Sequence, residues 1–103
     1  MAIKELYSEF CKTPFPRDIS ENENLADILH DLRMYDDYTA ATIDKYLSGV
    51  NIDSSELVYD NTIETQLIEF ILDANNLKED VSAAKQYLQY VLRIKEILAL
   101  IEK

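Results

Sequence analysis

Gly49 is the only glycine in this 103-residue chain, and Pro14 and Pro16 are its only prolines. Tight β-turns depend on glycine for positive φ. A sheet-rich domain of this size needs more of it, so helices joined by polar loops are expected. Apolar residues make up 48% of the chain, enough for it to fold rather than stay disordered. The length suits one domain over residues 1–103, with a modest core and no metal or disulfide as a staple. Cys11 is the only cysteine, which excludes an internal disulfide.

Helical periodicity runs through most of the sequence. Ile3, Leu6, Tyr7, Phe10 and Cys11 fall on one helical face, where Cys11 is expected to act as a small buried hydrophobe. Thr13-Pro14-Phe15-Pro16 ends that helix, and Phe15 is expected to fold back onto the core. Ser20 with Glu23 matches a capping box, which predicts a second helix with Leu25, Ile28, Leu29, Leu32 and Tyr35 inward. Asp36-Asp37 reads as a corner capping a third helix. That helix carries Thr39, Ile43, Tyr46, Leu47 and Val50 inward and stops at Gly49. Residues 51–60 read as a loop with one short turn at Ser54 to Leu57.

Asn61 with Glu64 resembles another N-terminal cap, opening a helix with Ile63, Leu67, Phe70, Ile71 and Ala74 on one face. Ile68 and Leu72 widen that face and predict a central position, and Asn75-Asn76 ends it. The last helix has the clearest pattern: Ala84, Tyr87, Val91, Ile94, Leu98 and Ile101 recur in steps of three and four. Leu88, Leu92, Ile97 and Leu100 lie outside this seam, so burial on more than one side is expected. The expected fold is therefore all-α, a compact antiparallel bundle of about five helices. Packing of the last helix inside a monomer is favoured over a homodimer through it, because the other helices need partners for their own apolar faces.

The charge is lopsided. The chain carries 20 acidic and 10 basic residues, a net of −10. Residues 1–17 and 78–103 are each at +1, whereas residues 18–77 hold 14 acidic residues against Arg33 and Lys45, a net of −12. Such a field draws basic partners and opposes nucleic acid and anionic membranes. A merely solubilising surface is the plain alternative. Four of the seven tyrosines, Tyr35, Tyr38, Tyr46 and Tyr59, fall in the acidic stretch. Tyr35 and Tyr46 lie on apolar stripes and are expected in the core. Tyr38 and Tyr59 stand beside Asp37 and Asp60 and are expected at the surface, as is Tyr90, which lies off the last seam.

Little in the sequence suggests chemistry. His30 is the only histidine, and its grouping with Asp27 and Asp31 lacks the second helical Glu-x-x-His segment of a bundle metal site, so no metal and no cofactor are expected. One histidine and one cysteine make no catalytic triad, and a single glycine makes no phosphate-cradling loop. Asp53-Ser54-Ser55-Glu56-Leu57 resembles the modified serine of acyl carrier proteins only faintly, because Ser55 and Glu56 separate the Asp-Ser pair from Leu57. The amphipathic opening, Met1-Ala2-Ile3-Lys4-Glu5-Leu6, is unlike a signal peptide, and no apolar run reaches a membrane span, so a cytoplasmic location is expected.

In type, the chain resembles the small acidic immunity proteins and antitoxins that bacteria make against their own toxins. The resemblance rests on size, all-α pattern, acidity, and acidic residues mixed with tyrosines between Asp18 and Asp60. It covers the chain as a general description and includes no family-specific motif, so no functional residue is carried over. It implies a non-enzymatic inhibitor that binds a basic toxin domain, such as a nuclease, through acidic side chains. The candidate contact residues are Asp31, Asp36, Asp37, Tyr38, Asp44, Asp53, Glu56, Tyr59 and Asp60, chosen for corner position, charge and aromatic area. The alternative function is an adaptor or assembly subunit that oligomerises through the last helix.

Overall fold

A computed structural model describes residues 3–16, 22–52 and 54–101 of the chain. These residues contain four α-helices and no strand: α1 (Ile3–Lys12), α2 (Glu23–Leu47), α3 (Thr62–Leu72) and α4 (Lys78–Ile101), with a 3-10 turn at Ser54–Leu57 before α3. The all-α class holds, with four helices where five were expected.

The difference lies at Asp36-Asp37. These residues do not turn a corner; they lie inside α2, which is 25 residues long. Aspartate in a helix interior costs only about 0.7 kcal/mol relative to alanine, far less than proline. The apolar stripe also crosses the position in register, since Leu25, Leu29, Leu32, Thr39 and Ile43 are all buried on one face. An unbroken stripe rewards an unbroken helix. The long α2 also makes the molecule elongated, 46 × 25 × 21 Å, with a radius of gyration of 14.6 Å. A compact domain of 100 residues has about 13 Å.

The helix ends show how local chemistry sets these lengths. Asn22 caps α2, its side chain accepting from the Leu25 amide at 3.1 Å. The expected cap, Ser20, lies outside the described residues. At the other end Gly49 has φ 85°, the Gly49 amide donates to the Tyr46 carbonyl, and the Val50 amide donates to the Lys45 carbonyl. These two bonds form a Schellman ending, which requires the left-handed conformation glycine adopts freely. A Cβ at this position meets open space, so Gly49→Ala isolates the backbone cost. We expect it to lower unfolding stability by about 1 kcal/mol, measured by urea titration. Asn61 makes no side-chain cap at α3. Asp60 does so instead, accepting from the Thr62 amide at 3.0 Å and the Thr62 hydroxyl at 2.6 Å. The break after α3 is held by Asn76, whose amide donates to the Phe70 carbonyl at 2.9 Å.

Successive helices run antiparallel. Tyr7 of α1 reaches Asp44 while Phe15, beyond α1, reaches Arg33, and Glu64 early in α3 pairs with Lys95 late in α4. The centre of the bundle is α4, which packs against α1, α2 and α3. Tyr87, Val91, Ile94 and Leu98 are at most 2% exposed, within one core shared by all four helices. The seam is thus filled by the chain itself, and a dimer through these four side chains would require opening the core.

A second stripe on α4, Ala83, Tyr90 and Ile97, is also buried. Tyr90 is 7% exposed, not at the surface, because Phe10 and Phe15 pack on it at 5.0 and 5.2 Å between ring centres. Phe15 folds back onto the core as expected.

Several side chains lie on the other side from that expected. Cys11 is exposed, since it sits at the edge of the α1 stripe and Tyr7 and Phe10 fill the contact. Tyr46 is 40% exposed, and Val50 and Ala74 are exposed beyond their helix ends. Ile68 and Leu72 face outward, so α3 packs on one side only and is not central.

Candidate protein-binding surface

The acidic residues of the middle segment lie around α2 and α3, but they converge in one place. The first turns of α2 and the last turns of α3 flank a groove of about 430 Å³. Asp27 and Asp31 enter it from α2, Glu69 enters it from α3, and Asp73 enters it from the cap that follows α3. Ile28 and Phe70 supply apolar lining, Asn24, Gln66 and Asn76 supply amides, and no basic side chain lines it. On α2 the acidic pair has i, i+4 spacing, a like-charge arrangement that costs an isolated helix about 0.2–0.5 kcal/mol. Asp73 follows α3 as its C-cap in extended conformation, and the four carboxylates together concentrate negative charge around the groove.

Among the described residues, no three His, Cys, Asp or Glu side chains are placed to hold one metal ion. The groove therefore presents a field rather than a chelate. A larger hollow of about 470 Å³ lies between Thr13–Pro16 and α4, but its lining has Arg93, Gln86 and Gln89 and no acidic side chain.

The nine candidate contact residues do not form one patch. Asp31 faces the groove. Asp37 and Tyr38 are exposed on the outer side of α2. Asp44 is exposed on the α1 side, where its carboxylate accepts from the Tyr7 hydroxyl at 2.9 Å. Burial, then hydrogen bonding to Asp44, pushes that hydroxyl well above the usual tyrosine range. Glu56 is exposed on the 3-10 turn, and Asp53 lies outside the described residues.

Tyr59 is half-buried, with its ring edge-on to Tyr35 at 6.5 Å and the Lys95 ammonium 5.5 Å from its centre. Its hydroxyl is buried without a hydrogen-bond partner among the described residues, and burial raises its pKa. Tyr59 is thus more a packing residue than a surface one. Asp60 is exposed, yet its carboxylate is engaged by Thr62, whose two hydrogen bonds hold its pKa below the ordinary value.

Asp36 is half-buried against α4, not at a corner. Burial raises its pKa from the ordinary 3.8, partly offset by a hydrogen bond from the Tyr90 hydroxyl; Asp37 raises it further and Arg33 lowers it. The folded chain therefore holds this proton more tightly than the unfolded chain. Stability falls as pH rises from about 4 through the raised folded pKa, and the ionised carboxylate is a net cost at neutral pH. Asp36→Asn keeps an acceptor for Tyr90 and removes that cost. We expect a higher Tm at pH 7 and no change at pH 3, read by circular dichroism.

Asp27, Glu69 and Asp73 were not among the sequence candidates. Their signal was the acidic spacing of Asp27 with Asp31 on α2 and of Glu69 with Asp73 at the end of α3, which becomes a single site only once α3 is known to run back along the start of α2. No helix among the described residues is long and apolar enough to cross a membrane. No protein-family model matches the chain, and neither does any curated protein or solved structure.

Proposed function

We propose that the chain is an immunity-type inhibitor that neutralises a cognate bacterial toxin by binding it, without catalysis, through the acidic surface of α2 and α3. The observation that carries this reading is the groove in which Asp27, Asp31, Glu69 and Asp73 gather with no basic neighbour in its lining. A nuclease holds its substrate with lysine and arginine, and these are the groups such a surface attracts. Carboxylates pairing with them block the active site or its rim, and the long-range field speeds encounter. Tyr38, exposed on α2, adds rigid aromatic contact area at the edge of the same acidic region. The protein acts on this reading as a cytoplasmic monomer, with no cofactor and no nucleic acid of its own to bind.

The test is rescue. The tagged chain is used to capture its partner from the native host, and that partner is then expressed in a sensitive strain. Growth arrest that co-expression of the chain relieves supports the proposal. A partner that is harmless, or whose toxicity the chain leaves unchanged, contradicts it.

A further inference from the structure

Beside the acidic groove, α3 carries an apolar ridge that the fold leaves uncovered. Leu72 is 77% exposed and Ile68 is 41% exposed, one turn apart on the outer face, and Leu77, in the connection to α4, is 66% exposed. Ile68 and Leu72 stand next in sequence to Glu69 and Asp73, so the ridge borders the α3 side of the groove. We infer that this ridge is the docking site for a basic amphipathic helix, whose aliphatic side chains cover Ile68, Leu72 and Leu77 while its lysines and arginines lie over the groove. The inference rests on the inhibitor reading and names the part of the partner that it grips.

Charge decides the occupant. On the groove side the flank is acidic, so a neutral or acidic apolar partner would leave those carboxylates facing an unmatched surface. Another hollow between α3 and α4, of about 420 Å³, adjoins the groove through Asp73 and Asn76 and has Lys78 and Lys85 in its lining. A second copy of the chain, itself at −10, would bring acidic surface against acidic surface. A helix fits better than an extended strand because Ile68 and Leu72 stand one helical turn apart on α3, a spacing that a neighbouring helix meshes with at i, i+3, i+4 and i+7.

The probe is a synthetic helical peptide with leucines along one face and lysines and arginines along the other. A scrambled peptide of the same composition serves as the comparison. Titrated into the full ¹⁵N-labelled chain, the amphipathic peptide is expected to shift amides within residues 24–31 and 66–77, and the scrambled one to bind at least ten-fold more weakly. Leu72→Ser, alone and with Ile68→Ser, should weaken the amphipathic peptide at least five-fold without changing Tm.

Equal binding of both peptides, shifts centred elsewhere, or serine variants that bind like the parent would overturn the inference. So would a dimer of the free chain in sedimentation that Leu72→Ser disperses, since the ridge would then be covered by a second copy. The toxin rescue separates the two ideas. Rescue that survives Ile68→Ser with Leu72→Ser keeps the inhibitor and removes this docking site. A peptide that maps to the ridge, with no toxin to rescue, keeps the docking site and removes the inhibitor.

Discussion

Ile94→Ala is expected to cost about 2–5 kcal/mol of unfolding free energy, the range for deleting a buried aliphatic group that leaves a cavity. Domains of this size have roughly 5–15 kcal/mol in all, so the variant should approach the limit of folding. The size of the effect follows from position. Ile94 is 1% exposed on α4, the helix that touches each of the other three. Collapse around the missing group would have to move several helices at once. Leu72→Ala, on the uncovered side of α3, should stay within about 0.5 kcal/mol of the parent. Urea unfolding of the two variants side by side checks the burial pattern. Similar losses would mean that α3, not α4 alone, holds the centre.

Neutralising the groove should act in opposite directions on binding and on stability. The combined variant Asp27→Asn, Asp31→Asn, Glu69→Gln and Asp73→Asn removes four of the 20 acidic charges and the i, i+4 repulsion on α2. Relief of that repulsion should raise stability by about 0.2–0.5 kcal/mol. Asparagine at 73 keeps an oxygen for the Asn75 amide, which Asp73 Oδ1 accepts at 2.9 Å. Association with the captured basic partner should nevertheless slow by roughly ten-fold or more, within the range that electrostatic steering supplies. Stopped-flow mixing and thermal melts on one preparation read both quantities. A solubilising surface predicts the stability gain without the kinetic loss.

Much of this fold was legible in the sequence wherever one residue type decides a local conformation. Gly49 ends α2, the turn falls at Ser54–Leu57, and the α4 seam packs inward, each for a reason contained in a few neighbouring residues. The misjudged positions share a different origin. Asp36-Asp37 has turn-forming chemistry, but the stripe on either side is in register and overrides it. Tyr46 and Tyr90 exchanged their expected environments because a tyrosine at a stripe edge goes wherever a neighbour is available. Tyr90 has Phe10 and Phe15, while Tyr46 lies near the end of its helix. Ile68 and Leu72 look like core residues by composition and are exposed because nothing among the described residues packs on that face of α3.

The candidate site was legible as a charge imbalance but not as a place. Net charge of −12 over residues 18–77 says that negative potential dominates there, and nothing about which carboxylates converge. Convergence depends on the antiparallel return of α3 along α2. That return sets Glu69 and Asp73 opposite Asp27 and Asp31, while it leaves Asp44 beside Tyr7 and Asp60 in a cap. Asp44 and Asp60 are thus committed to hydrogen bonds away from the groove, and within it Asp73 also accepts from the Asn75 amide.

The central claim is that this surface recruits a basic protein through its field. The direct measurement is the association rate of the unaltered chain with its captured partner as ionic strength rises from about 0.1 M to about 1 M, over which the Debye length falls from about 10 to about 3 Å. A rate that falls at least ten-fold, while the dissociation rate changes little, is the result expected of electrostatic capture by the acidic groove. An association rate that stays level across that range would contradict it.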